Sequence, residues 1–204
     1  RRDFIKISAA GAAAAGLTGK AFALEGEPAW DEIKEKSTGK PKRIIFMVSD
    51  GMSMAVPSLA EPFSQLVRGK GTHFSRLLSD DDTARGLFET HSLNSLVTDS
   101  AAASSAWGSG SRVFNGSINV LPDGTKLTPI GKIAHDAGRG VGLVTTTSIT
   151  HATPAGFGAA QANRGDQKKI APQYIGTIDV LMGGGKWVYD EDLIEKYKKA
   201  GYTY

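Results

Sequence analysis

Two apolar runs limit what this chain can fold into. Residues 43–52 read Arg-Ile-Ile-Phe-Met-Val-Ser-Asp-Gly-Met, and residues 140–146 read Gly-Val-Gly-Leu-Val-Thr-Thr. Neither alternates apolar with polar positions, so a strand made from either needs cover on both faces, as at the centre of a parallel sheet. A shorter run at 177–182, Thr-Ile-Asp-Val-Leu-Met, predicts a further strand closed by Gly183-Gly184-Gly185. Between these runs lie segments that favour helix. One covers residues 58–78 and breaks near Gly69–Gly71. Another opens at Thr128-Pro129 and stops at Gly138, where the proline suits a first helical turn and the glycine a helix end. A third opens at Thr153-Pro154, and two more are predicted at 168–175 and 190–199. Alternating strands and helices of this kind predict an α/β fold, a mostly parallel central sheet with helices on both faces.

Residues 92–108 are the most informative stretch. They begin with a mediocre alternating pattern that predicts a strand to Val97. At Thr98-Asp99-Ser100 they turn into an alanine-rich run that favours helix. At such a junction, unpaired backbone N–H groups and the positive end of the helix dipole converge. An anion is stabilised there, and so is a serine alkoxide, which makes Ser100 a candidate nucleophile. The plain alternative is that Thr-Asp-Ser is only a helix cap, as these residue types most often are. Asp50 and Gly51 carry a similar pair of readings, a strand-end ligand or a simple turn. The three aspartates at 80–82 lack the glycine and the spaced acids of a calcium loop, so a solvated turn is expected. Residues 118–127, with Asp123-Gly124, read as a hairpin. Gly183–Gly185 match neither phosphate-binding glycine fingerprint and read as a turn.

The N-terminus is an address. Arg1-Arg2-Asp3-Phe4-Ile5-Lys6 precedes an Ala/Gly-rich apolar run at 7–17 and the small-residue site Ala21-Phe22-Ala23, the order of a secretory signal over residues 1–23. The paired arginines resemble a twin-arginine export signal, which implies a periplasmic or extracellular destination. The run is too short and glycine-rich for a stable membrane span. Four of the chain's 24 basic residues and one of its 21 acidic residues lie in this segment, so the remainder is balanced at 20 of each. That balance gives no support to a nucleic-acid-binding surface. No cysteine is present, which excludes disulfides, thiolate metal sites and cysteine nucleophiles. Residues 24–42 read as a linker, with a short helix around 30–36.

Three strand ends thus carry polar groups, namely Asp50, Asp99-Ser100 and His151-Ala-Thr153, with Arg164 downstream. In a parallel sheet they converge on one rim. Aspartate, histidine and threonine suit zinc or magnesium. A serine at a helix N-terminus supplies a nucleophile, and an arginine supplies a fork for phosphate oxygens. Together these parts suit metal-assisted phosphoryl transfer.

The sequence here resembles the alkaline phosphatases. Val48-Ser-Asp50-Gly51-Met52 looks like their first metal-ligand motif, and Thr98-Asp99-Ser100-Ala-Ala-Ala-Ser-Ser-Ala-Trp107 like their nucleophile motif. Asn115-Gly116, Pro122-Asp-Gly124, Thr150-His151-Ala-Thr153-Pro154-Ala155, Arg164 and Asp179-Val-Leu-Met-Gly-Gly-Gly185 continue the likeness in order, over roughly residues 43–190. The resemblance implies hydrolysis of phosphate monoesters through a phosphoserine on Ser100. It makes Asp50 a metal ligand between the second zinc site and the magnesium site. His151 and Thr153 then belong to the magnesium shell, Arg164 clamps phosphate, and Asp99 supports Arg164. Some bacterial members have aspartate where His151 stands, so direct magnesium ligation is less secure for His151 than for Asp50.

The family's remaining zinc ligands lie beyond this sequence, which has no histidine after His151. The expectation is of two zinc sites with most ligands missing, one magnesium site, and a fragment, truncated at both ends, that is inactive alone. Residues 43–204 are then the N-terminal portion of the catalytic domain. The family often forms dimers, which leaves a homodimer open. Two other functions compete: a phosphodiesterase of the same superfamily, and an exported phosphate-binding module without catalysis.

Overall fold

The computed structural model describes residues 43–203. The signal segment, the linker and its expected helix at 30–36 lie outside the described residues. Residues 43–48 belong to one compact unit of the chain and Ser49 onward to a second.

The expected strand at 43–49 is not formed. A strand is defined by a ladder, and among the described residues no neighbour pairs with this run. Its apolar side chains stand in the open, with Ile44 81%, Ile45 84% and Met47 88% exposed.

In the second unit, helix α1 (Ala55–Arg68) ends at Gly69, whose φ of 67° supplies the left-handed turn that closes many helices. Helix α2 (His73–Leu78) starts at Thr72, whose side chain accepts from the Ser75 N–H. The break at 69–71 falls where the glycines predict it. Residues 79–90 form a turn and irregular chain, and the Asp82 N–H donates to Asp80 within the aspartate cluster.

The expected strand at 92–97 is absent as well. Ser92 Oγ bonds to Asn94 Oδ1 and to the Ser95 carbonyl, and the Val97 N–H donates to Ser95 Oγ. Short polar side chains here satisfy the backbone locally, in place of a ladder. Helix α3 (Ser100–Ser109) then forms as expected, with Asp99 as its N-cap and Gly110 closing it at φ 72°.

The segment after α3 approximates the expected hairpin. Val120 bridges Lys126 in antiparallel fashion, and Gly124 takes the turn at φ 87°. Helix α4 (Ile130–Asp136) starts one residue later than expected, with Pro129 as its N-cap instead of in its first turn, and Gly138 ends the segment with φ 71° as predicted. Strand β1 (Gly142–Ser148) leads into helix α5 (Ala152–Gly158). Helix α6 (Gln167–Ile170) continues into a 3-10 turn at Ala171–Tyr174, so the single helix expected at 168–175 is two short elements that start one residue earlier. Strand β2 (Val180–Gly184) lies parallel to β1, pairing Gly142 with Val180 and Val144 with Met182. Helix α7 (Glu191–Lys199) is capped by the Asp190 side chain. The fold is α/β with a small parallel sheet, and the described residues contain these two strands of it.

The core that positions the site is built from Ala101, Ile118, Ala155, Ile170, Tyr174 and Ile178, all fully buried. Small residues let α3 and α5 approach closely. A Cβ added to Gly108 would lie 2.0 Å from the Gly156 carbonyl oxygen. A Cβ on Gly156 would meet Ser104 at 2.5 Å. Glycine is required at both positions by contact rather than by φ. Ser104 Oγ also donates across the interface to the Ala152 carbonyl, at 2.9 Å.

Candidate functional site

The first helical residue of α3 is Ser100, and its hydroxyl donates to Asp50 Oδ2 at 2.8 Å. Thr153, in the first turn of α5, donates to the same oxygen at 3.1 Å. Asp50, Ser100 and Thr153 are separated by 50 and 103 residues in the sequence and share one carboxylate oxygen in space. The grouping expected from the strand ends is therefore present, although only β1, which precedes His151, is a strand.

Asp99 is more than a cap. Its Oδ1 accepts from the Ala102 N–H at 2.9 Å, the bond that closes the helix end. Its Oδ2 accepts from the Gly116 N–H at 2.9 Å and from Arg164 Nη1 at 3.0 Å. Both members of the Arg164–Asp99 pair are roughly a quarter exposed, so water screens it less than a surface pair. The Arg164 N–H also donates to the Gly116 carbonyl, which anchors this arginine at backbone as well as side chain.

His151 is the N-cap residue of α5, and its Nε2 lies 3.0 Å from Arg164 Nη2. Arginine can only donate, so Nε2 is the acceptor and the proton of the neutral ring sits on Nδ1. That Nδ1 is buried with no partner. Burial, and then the neighbouring guanidinium, hold the His151 pKa below the ordinary histidine value, while Asp50 pulls the other way. The ring is thus kept neutral and able to accept.

Three residues that the sequence reading gave no functional part hold this arrangement. Asn115 Oδ1 accepts from the Asp99 N–H at 3.0 Å, and its Nδ2 donates to the Val97 carbonyl at 2.9 Å. This side chain clamps the approach to Ser100. Its visible signal was the Asn115-Gly116 pair, which belongs to the family likeness but carried no role there. Gln167 Oε1 accepts from both Ser148 Oγ and Thr150 Oγ1, at 2.8 and 2.7 Å, and fixes the loop that delivers His151. Asn119 is buried between α3 and α5. Nothing in local sequence distinguishes Gln167 or Asn119 from surface amides.

Among the described residues, no three His, Asp, Glu or Cys side chains are grouped to hold a metal ion. Asp50, Ser100 and Thr153 offer a cluster of oxygen donors, while the His151 Nε2 is engaged by Arg164.

Comparison with known proteins decides the family. Residues 41–204 match the alkaline phosphatase family model. The chain belongs to the alkaline phosphatase family. Residues 1–18 match the twin-arginine translocation signal sequence, which marks it for export by that route. No helix among the described residues is long and apolar enough to cross a membrane. Alkaline phosphatase 3 of Bacillus subtilis is 34% identical over 190 residues, covering 87% of this chain and 40% of that protein. The repressible alkaline phosphatase of Saccharomyces cerevisiae is 38% identical over 153 residues, covering 72% of this chain and 27% of that protein. The crystal structure of Thermus thermophilus alkaline phosphatase superposes with a TM-score of 0.71 at 36% identity, over 76% of this chain and 34% of that one. A histidine-to-aspartate variant of the alkaline phosphatase from the Antarctic bacterium TAB5, with magnesium bound in its M3 site, superposes at 0.60 and 30% identity. That match covers 71% of this chain and 42% of the variant. The chain thus spans less than half the length of each of these alkaline phosphatases.

Proposed function

We propose that the complete gene product is an exported alkaline phosphatase that hydrolyses phosphate monoesters through a phosphoserine at Ser100. In this reading, residues 1–23 are the signal, 24–42 a linker, and 43–204 the N-terminal portion of the catalytic domain. The observation that carries the proposal is the meeting of Ser100, Asp50 and Thr153 at the N-terminus of α3, with Arg164 held alongside by Asp99.

The steps follow from these positions. Arg164 binds two phosphate oxygens through its planar fork, and Asp99 keeps that fork oriented. Ser100 Oγ attacks phosphorus in line with the leaving alcohol. Its proton moves toward Asp50 Oδ2, the oxygen to which it already donates. The Oγ–P bond forms, the ester P–O bond breaks, and the alcohol leaves with a proton from solvent. Water then attacks the phosphoserine and loses a proton to solvent, the Oγ–P bond breaks, inorganic phosphate leaves, and Asp50 returns its proton to Ser100 Oγ. The backbone N–H groups that open α3 favour the negative charge that gathers in both steps.

The donor chemistry fits part of the family's metal set. Asp50 and Thr153 are oxygen donors converging on one point, and would hold magnesium. We place His151 behind these oxygen donors, at the edge of that shell, because its Nε2 is engaged by Arg164. A bound divalent cation would supply Lewis-acid stabilisation of the phosphoryl oxygens. The described residues do not complete a zinc site, because none offers the three His, Asp, Glu or Cys ligands such a site needs. We assign the missing ligands to the rest of the gene product, and the present residues alone to an inactive portion. A homodimer of the complete enzyme accords with this reading.

The test is hydrolysis of p-nitrophenyl phosphate at alkaline pH by the complete gene product, with and without chelator, beside Ser100→Ala. Chelator-sensitive turnover that falls by about 10³-fold or more in the variant is expected. Turnover of a diester but not a monoester would assign the protein to a phosphodiesterase. Phosphate binding without turnover would make it a binding module.

A further inference from the structure

Asn119 carries two local costs that the fold does not need for its own sake. It is the one non-glycine residue with positive φ among those described, at 50°. Asparagine tolerates this left-handed region better than most residues, but still at a cost. Its Oδ1 is also buried with no partner, a desolvation penalty that native structures rarely retain without a reason.

What those costs secure is a bridge. The Asn119 Nδ2 donates to the Gly156 carbonyl and to the Ala159 carbonyl, both at 2.8 Å. Only the amide nitrogen can donate to two carbonyls, so the orientation of the side chain is fixed by chemistry. Its backbone N–H donates to Ser105 Oγ at 2.7 Å. Ser105 belongs to α3, five residues after Ser100, and its Oγ donates in turn to the Ala101 carbonyl at 2.8 Å. Gly156 lies one turn after Thr153 in α5. One fully buried residue therefore ties the helix that begins with Ser100 to the helix that carries Thr153.

We infer that Asn119 is a positioning residue, which holds α3 and α5 in the register where Ser100 and Thr153 meet at Asp50. The inference rests on the phosphoserine reading of Ser100. It has a particular kinetic signature. Arg164 is held by Asp99 and by the Gly116 carbonyl, neither of which hydrogen-bonds to Asn119. Loss of the bridge shifts α5 and its Thr153 against Ser100, while Asp99, which caps the helix of Ser100, keeps the phosphate clamp in step with the nucleophile. Turnover falls and substrate binding does not.

The experiment compares Asn119→Gly with wild type in the complete, metal-loaded gene product, with p-nitrophenyl phosphate as substrate. Glycine adopts the same φ freely, so the change removes the two amide donors without adding backbone strain. Rates are expressed per folded molecule, measured by gel filtration and thermal melting. The expected result is a kcat lower by about ten-fold or more, since misplacement of about 1 Å can cost 10²-fold. KM and inhibition by inorganic phosphate should stay within about three-fold of wild type, in keeping with an intact clamp. An unchanged kcat, or a fall in kcat matched by an equal rise in KM, overturns the inference. Should Asn119→Gly fail to fold, Ser105→Ala decides. It removes the other end of the bridge, and a lower kcat at constant KM supports the inference while an unchanged kcat overturns it. Absence of turnover in the wild type would instead sink the phosphoserine reading, and this inference with it.

Discussion

The α3–α5 wedge and the α1–α2 pair are both helical, and they are built in opposite ways. In the wedge, alanine, glycine and serine pack tightly: Ala101, Ser104, Ser105 and Ala155 are fully buried. Around it, nearly every polar side chain has a partner at 2.7–3.1 Å, as with Asp99, Asn115 and Gln167. In the other region the large apolar residues face outward. Leu59, Phe63 and Leu66 on α1 are 71%, 65% and 85% exposed, and the buried residue of that helix is Ser64. Geometry at the site therefore comes from polar clamps and close backbone contact laid over a small apolar core, and large apolar side chains on an open helix face add little to it. Removing a small contact in the wedge should disturb the site far more than removing a large side chain from α1.

The strongest challenge to this contrast is Arg164→Ala in the complete gene product. It deletes the fork and leaves Asp99 without its charged partner. Charge-assisted bonds of this kind are worth about 1.5–3 kcal/mol, so kcat/KM should fall by about 10- to 100-fold. Steady-state kinetics with a monoester checks it. A change below two-fold would mean the clamp is not where phosphate binds.

Gly156→Ala tests the packing side of the contrast. One methyl group would collide with Ser104, and overpacking of this kind costs about 1–3 kcal/mol. Thermal or denaturant unfolding should show that loss, together with reduced activity. Wild-type stability would show that the helices can slide apart freely.

The α1–α2 pair has its own local clamp, and its effect should depend on pH. Glu61 accepts from both the backbone N–H and the hydroxyl of Thr72, at 2.8 and 2.9 Å. The Thr72 N–H, then the hydroxyls of Ser75 and Thr72, lower its pKa from 4.5 to about 2. A depressed carboxylate pKa stabilises the fold above the unfolded value and loses that contribution as pH falls through the folded one. Wild type should therefore outlast Glu61→Gln above pH 4.5, and the difference should fade as pH falls toward about 2. Melting curves across that window check the trend. A gap that widens toward acid pH would contradict it.

The smallest effect is expected from Leu66→Lys. Its side chain lies on the open face of α1, where substitutions usually stay within about 0.5 kcal/mol. The melting temperature of the present chain should hold. A marked loss of stability would show that this face of α1 is covered after all.

These two regions also differ in how far they could be read in advance. The wedge announced itself because its chemistry is local: Thr-Asp-Ser before alanines is a cap, and the cap proved to be the junction that carries Ser100 and Asp99. Helix boundaries at Gly69 and Gly138 followed from glycine taking the left-handed turn, whereas the end of α3 at Gly110 was not foreseen. Asp50, Ser100 and Thr153 were brought together as expected, and Arg164 was found against Asp99. The runs at 43–49 and 92–97 were misread for a shared reason. Apolar content and alternation indicate that a segment could pair, but pairing needs a partner strand or freedom from local side-chain competition. Asn119 and Gln167 were illegible, because the partners of their side chains lie at least 37 and 17 residues away.

The measurement that bears most directly on the whole account is the chemical state of Ser100 during turnover. The complete gene product would be mixed with a phosphate monoester, quenched in acid and mapped by peptide mass spectrometry. Phosphate on the peptide containing Ser100, absent from Ser100→Ala, is the predicted result. Sustained monoester turnover with Ser100 unmodified, or undiminished in the variant, would contradict the account.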